Sequence, residues 1–296
     1  MIKFTNQKKT IHLFIITVLF VFSHIGIQAQ EESASQTKKV QKPVRSPWES
    51  GYLIENQTGL VLPAKTLEFI IQHRFGNINS ETFDLAGIYG ASNIRIGLNY
   101  GLFKNFQLGL GTTKNKKYQD LNWKYKILTQ TRSGSMPLSL TYYGNIALDA
   151  REASYFGKNY KFAHRISYFN QLIVGRKFSR TVSVQLSIDY SHYNMVDTTA
   201  FSGMKHDNFG LGFAGRVKIS PQTSITLEYN QPLTTPDNIK QNLSLGVEIA
   251  TSSHAFQIFV TTYSGIMPQE NLSYNTNEFY KGDILLGFNI TRLWGF

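Results

Sequence analysis

The sequence predicts an all-β fold: a transmembrane antiparallel up-and-down β-barrel of 12 strands. Two patterns carry that expectation. Apolar and polar residues alternate at period two in segment after segment, and the connections between segments run long, short, long, short. Alternation is the mark of a strand with two unlike faces. Short turns at one end and longer loops at the other are the layout of membrane barrels. Composition agrees, with 14% aromatic and only 17% charged residues, where soluble domains carry about 25% charged.

Met1–Ala29 reads as a secretory signal peptide. Lys3, Lys8 and Lys9 precede an apolar stretch from Ile11 to Phe22, no acid appears before Glu31, and Ala29 is a small residue at the cleavage position. That stretch is 12 residues long, too short for a spanning helix, which needs about 20. Removing the three lysines lowers the formal charge from +11 to +8. Residues 30–62 are expected to form a flexible periplasmic segment, because Glu31–Ser50 is polar, aperiodic and rich in Lys and Pro. The barrel then spans 63–296. With no cysteine, disulfide scaffolds, zinc ribbons and thiol chemistry are excluded.

Strands are expected over 66–75, 92–100, 105–112, 119–129, 137–148, 162–174, 181–191, 207–219, 223–230, 241–250, 254–263 and 283–296. The second sets Ile94, Ile96, Leu98 and Tyr100 against Asn93, Arg95, Gly97 and Asn99. The fourth sets Leu121, Trp123, Tyr125 and Ile127 against Asn122, Lys124 and Lys126. In the sixth, Phe169 sits among Arg165, Ser167 and Gln171, which predicts a bulge. The seventh opposes Val182, Val184, Leu186 and Ile188 to Ser183, Gln185, Ser187 and Asp189. The ninth and tenth repeat the pattern with Leu227 against Glu228 and Val247 against Glu248. The last carries Phe288, Ile290, Trp294 and Phe296 at alternate positions, with Arg292 breaking the parity. It resembles the carboxy-terminal signal recognised by barrel assembly machinery.

Tight turns fall at Gly101–Lys104, Thr131–Met136, Gly175–Arg180, Pro221–Gln222 and Thr251–Ser253, with longer connections between them. In hydrocarbon every backbone polar group must be paired, so a sheet can span only by closing on itself. Its outer face is then apolar and its inner face polar. Tyr100, Trp123, Tyr142, Tyr168, Tyr190, Tyr229 and Trp294 are placed for interfacial girdles.

By parity Arg74, Arg95, Lys124, Lys126 and Arg165 point into the lumen, with Glu68, Asp189, Glu228 and Glu248. Bases cluster on earlier strands and acids on later ones. Two outcomes stay open: a transverse field in a water-filled pore that favours anions, or a paired network that fills the barrel.

Other chemistry is weakly signalled. Gly210-Leu211-Gly212-Phe213-Ala214-Gly215 has dinucleotide-motif spacing, but strand continues where a helix is required; Gly210 and Gly212 instead leave space in the lumen. Ser252 with His254, His164 with Ser167 and Ser191 with His192 make no triad. His73, His192, His206 and His254 have no metal-ligand spacing, and Asp149, Glu152, Asp197, Asp207 and Asp237 are loop charges without a calcium motif. Basic residues are spread without a stacking platform, which argues against nucleic acid.

Gln72-His73-Arg74-Phe75-Gly76, Tyr100-Gly101-Leu102 and Lys124-Tyr125-Lys126 with Gln130 resemble an uncharacterised outer-membrane β-barrel family of Bacteroidota, over about residues 48–296. Ala86 before Gly87 departs from an aromatic expected there. The resemblance implies a cell outer-membrane address and a shape, with no catalytic residues or cofactor to carry over. The leading functional expectation is a non-enzymatic outer-membrane barrel forming a narrow passive channel for small anionic solutes. The alternatives are a non-conducting structural or ligand-binding barrel, a barrel-embedded lipid-modifying enzyme, and a soluble exported β-protein. Expected partners are outer-membrane lipid, the assembly machinery during biogenesis, and an unidentified solute or loop ligand.

Overall fold

The computed structural model describes residues 42–79 and 84–296. The expected signal peptide and the part of the 30–62 segment up to residue 41 lie outside the described residues.

Twelve strands form the wall: β3 (Thr66–Asn77), β4 (Asn93–Phe103), β5 (Phe106–Thr113), β6 (Gln119–Leu128), β7 (Ser139–Leu148), β8 (Ile166–Lys177), β9 (Val182–Tyr193), β10 (Asp207–Lys218), β11 (Thr223–Pro232), β12 (Asn242–Ala250), β13 (His254–Thr261) and β14 (Leu285–Gly295). Each pairs antiparallel with its neighbours in sequence, and β14 returns to β3, with Ile290 opposite Ile71 and Trp294 opposite Leu67. Closure leaves no unpaired edge, the condition for a sheet in lipid. Among the described residues no helix is long and apolar enough to cross a membrane.

The polarity of the wall is inverted relative to a water-soluble protein. Leu110, Ile188 and Ile258 face outward at 57–62% exposure, whereas Glu68, Arg74, Lys124 and Glu228 are fully buried inside. The outward apolar residues recur strand after strand and form a continuous band, which in water would be an aggregation surface. Phe103, Tyr125, Phe178 and Trp294 gather at the turn end, and Phe75, Phe288, Tyr190 and Phe209 at the loop end. The Arg292 that breaks apolar parity lies 4.9 Å over the Trp294 ring, an interfacial cation–π contact.

The sixth wall strand differs from expectation. Phe162–Arg165 form a 3-10 turn, so β8 starts at Ile166. Its register is unbroken on both sides; shifts occur instead at Gly101/Phe103, Lys126/Leu128 and Leu285/Gly287. Phe169 needs no bulge, because the lumen offers it apolar neighbours, Tyr143 and Leu272.

Those neighbours exist because the lumen is filled from both ends. Residues 48–62, which the sequence placed in the flexible segment, lie inside the barrel, with Trp48, Leu53, Ile54 and Leu62 buried. The segment enters from the turn end and forms a small hairpin, β1 (Tyr52–Leu53) against β2 (Asn56–Gln57). It returns through Pro63–Lys65 to the start of β3. From the loop end, the β13–β14 connection folds inward as α1 (Pro268–Tyr274), started by a proline at its first turn. Leu272 of α1 sits against Gly210: a Cβ there would lie 2.5 Å from Leu272 Cδ1, so only glycine fits without displacement.

Candidate functional site

The hairpin is too short to satisfy its own backbone, and burial would leave its amides and carbonyls unpaired at a cost of about 1–3 kcal/mol each. Wall side chains pair them. Glu228 accepts from the amides of Glu55 and Asn56, each at 3.0 Å. Gln257 accepts from the Ile54 amide at 3.1 Å and donates to the Tyr52 carbonyl at 2.9 Å. Asn289 donates to the Ile54 carbonyl at 2.7 Å, and Gln185 to the Gln57 carbonyl at 2.6 Å. Lys124 Nζ donates to the Gly51 carbonyl at 2.7 Å, and Gln107 accepts from the Leu62 amide at 2.8 Å. Ile54, at the tip, takes φ +52°, a region uncommon for a β-branched residue. The bonds on both sides of it hold that conformation.

Side chains of the segment are fixed as well. Arg74 reaches Glu55 through Nε–Oε1 at 2.7 Å and Nη2–Oε2 at 2.8 Å. Glu49 meets Lys218 at 2.6 Å and Arg216 at 3.3 Å, and Arg216 also meets Glu248 at 3.1 Å. The Ser50 and Thr291 hydroxyls lie 3.1 Å apart. Ten of the twelve wall strands, β3, β4, β5, β6, β7, β9, β10, β11, β13 and β14, bond the segment directly.

The space between the hairpin tip and α1 is about 20 Å³, bordered by Asn56, Gln171, Asp189, Asn230 and Leu272. That is room for about one water. α1 is held in turn by Gln269 on Asn145 at 3.0 Å, Ser273 on Ser191 at 2.8 Å, and Glu270 on Lys116 at 2.9 Å. The hairpin from the turn end and α1 from the loop end thus occupy the lumen together.

Arg74, Arg95, Lys124, Asp189, Glu228 and Glu248 are buried inside, and Lys126 keeps the parity of Lys124 while half-buried nearer the turn end. Arg165 does not line the strand lumen. It ends the 3-10 turn at the loop end, donates to the carbonyls of Asp149 and Arg151 and to the Tyr160 hydroxyl, and stacks over Phe156. The charges also pair differently from a transverse split. Arg95 meets Asp120, on β6, with Nη2–Oδ2 at 2.7 Å, and Arg74 meets the hairpin, so bases are neutralised locally. Asp120, Arg216, Glu49 and Glu55 were missed. Inward parity with Lys124 and Ala214 marks the first two; the apolar run Tyr52-Leu53-Ile54 and Leu60-Val61-Leu62 flags the segment carrying the others.

The family described as "Membrane bound beta barrel domain (DUF5777)" has a model that matches residues 48–294. The chain belongs to this family. The matched span starts at Trp48, so the DUF5777 barrel domain includes the lumen segment as well as the wall. No curated protein matches the sequence. Among solved structures, the chain is similar to the NanC porin (8% identity, covering 78% of this chain and 99% of that one, TM-score 0.49). It is also similar to the COG4313 outer membrane channel from Pseudomonas putida F1 (13%, 79% and 97%, TM-score 0.48), and to the KdgM porin (8%, 78% and 99%, TM-score 0.46).

Outside the lumen of this DUF5777 domain, His192 and His254 have ordinary polar partners. His192 Nδ1 lies 2.8 Å from Asp207 and Nε2 3.1 Å from Asn194, while Ser191 points inward to Ser273. His254 Nδ1 meets Ser253, its neighbour. Asp149 pairs with Arg151 and Asp197 caps its own loop at Thr199 and Ala200. Among the described residues no group of three or more His, Asp or Glu is placed to hold a metal.

Proposed function

We propose that the protein is an outer-membrane barrel, exported through a cleaved signal peptide, that is shut at rest by its own N-terminal segment. It passes small solutes only when that segment leaves the lumen. In this reading the turn end faces the periplasm and the loops face outward, and the assembly machinery reads the Phe288–Phe296 terminus. The Bacteroidota origin implied by the resemblance belongs to the same reading. The observation that carries it is the division of labour inside the barrel. The bonds that the wall's polar side chains make to the segment run chiefly to its backbone, so its departure would expose a lumen already lined with Arg74, Lys124, Glu68 and Glu228. That lining is polar enough to hold water and ions.

The Ser50–Thr291 contact provides the test. The chain has no cysteine, so the double variant Ser50→Cys with Thr291→Cys creates one possible disulfide, between side chains now 3.1 Å apart. In planar bilayers the oxidised variant should stay silent and the reduced one should show openings. Equal conductance in both states would remove the segment from gating. Silence in both, and in the unmodified chain, would favour a non-conducting structural or ligand-binding barrel.

A further inference from the structure

At the turn end, where the segment enters, a cavity of about 970 Å³ is lined by Arg45, Arg132, Lys177, Arg180 and Lys218, with Glu49 as its one carboxylate. Glu49 is already committed to Lys218 and Arg216. Among the described residues no ion pair reaches Arg45, Arg132, Lys177 or Arg180. Among the described residues, four cations therefore converge on a recess whose one carboxylate already pairs with Lys218 and Arg216, an arrangement that repels itself and concentrates anions.

The geometry of ownership matters. Arg45 lies on the stem of the lumen segment, whereas Arg132 and Arg180 lie on the β6–β7 and β8–β9 turns and Lys177 ends β8. Two of the wall cations already reach the stem through its carbonyls: Arg132 donates to Pro43 at 3.0 Å, and Lys177 to Arg45 and Ser46 at 3.4 Å. Guanidinium groups lining one recess from the stem and from two wall turns suit a tetrahedral oxyanion, which each can grip with two parallel hydrogen bonds. We infer that this cavity binds a phosphate-bearing anion, which joins Arg45 of the stem to Arg180 and Arg132 of the wall and so retains the segment in the lumen. The retention half of this inference rests on the gating reading above; the binding half does not. Phosphate could come from the headgroup of an anionic lipid in the adjoining leaflet or from a soluble phosphate.

The experiment uses the full mature chain. Pyrophosphate is titrated calorimetrically into protein held in a non-ionic detergent. Saturable binding is expected, weakened about tenfold by Arg180→Glu or Arg45→Glu, each removing charge-assisted bonds. In parallel, Ser50→Cys supplies a single buried thiol whose modification by a water-soluble maleimide reports release of the segment. Pyrophosphate in phosphatidylcholine vesicles should slow modification at least about threefold if soluble phosphate is the ligand. Phosphatidylglycerol vesicles without pyrophosphate should do so if a lipid headgroup is the ligand. No binding heat together with no slowing in either arm overturns the site, as does binding that Arg180→Glu and Arg45→Glu leave unchanged. If the heat and its loss in the variants are seen but the thiol is never modified, the anion site stands and the gating reading falls.

Discussion

Arg74 and Glu55 face each other as two parallel bonds, and neither side chain reaches solvent. One belongs to the wall and the other to the segment that fills it, so this pair joins container and content at the hairpin tip. Removing one member of a buried pair strands the other charge, at a cost of about 3–5 kcal/mol. Glu55→Ala should therefore raise the modification rate of the Ser50→Cys reporter at least about a hundredfold, while heat-dependent gel migration still reports a closed barrel. A rate within threefold of the parent would show that the pair does not retain the hairpin.

Gly210 and Leu272 make a second test, at the other end of the lumen. A methyl group on Gly210 collides with Leu272 Cδ1, and such overpacking costs about 1–3 kcal/mol. Gly210→Ala should loosen α1, read as faster proteolysis of the 262–284 connection, and adding Leu272→Ala should restore part of the loss. Identical digestion of the parent and both variants would separate Leu272 from the seating of α1.

Acid should loosen the segment through Glu49. Burial works to raise the pKa of its carboxyl, but the Lys218 hydrogen bond and the Arg216 charge outweigh it and hold it below the ordinary 4.5. A group depressed in the seated state stabilises that state above its free value, and the benefit disappears as pH falls through the lower, seated value. Openings in bilayers should rise as the turn-end solution is taken from pH 6 to below 4. Arg216 also meets Glu248, and Arg45, Lys177 and Lys218 line the same recess as Glu49. The comparison is therefore with Glu49→Gln, which should start more open and lose that part of the acid response.

The outward face predicts depth-dependent costs. Leu110 lies mid-strand, opposite Leu98 and Leu121, and points away from the lumen. Leu110→Arg should destabilise the barrel in lipid by about 2–4 kcal/mol, measured by reversible unfolding from vesicles. A cost under about 0.5 kcal/mol would place Leu110 in water and remove the bilayer from its surroundings.

The wall was almost wholly legible in the sequence because period two reports a two-faced strand directly, and the bilayer makes those faces sharply unlike. The expected spans differ from the observed ones mainly at Phe162–Arg165. There a 3-10 turn carries residues whose parity continues that of β8, so spacing alone cannot tell the two apart. The contents of the lumen were less legible. The 48–62 segment has no long strand or helix of its own, and its conformation is dictated by Glu228, Gln257 and Asn289, residues some two hundred positions away in sequence. Parity said that Arg74 and Lys124 point inward; it could not say that Glu55 and the Gly51 carbonyl would meet them.

Only Pro63–Lys65 separate the filling segment from β3. A tether of that length keeps a displaced hairpin at an effective concentration in the millimolar range or above. Re-seating is thus a unimolecular event, indifferent to how much protein the membrane contains. Under the gating proposal, each copy carries its own stopper at fixed one-to-one stoichiometry.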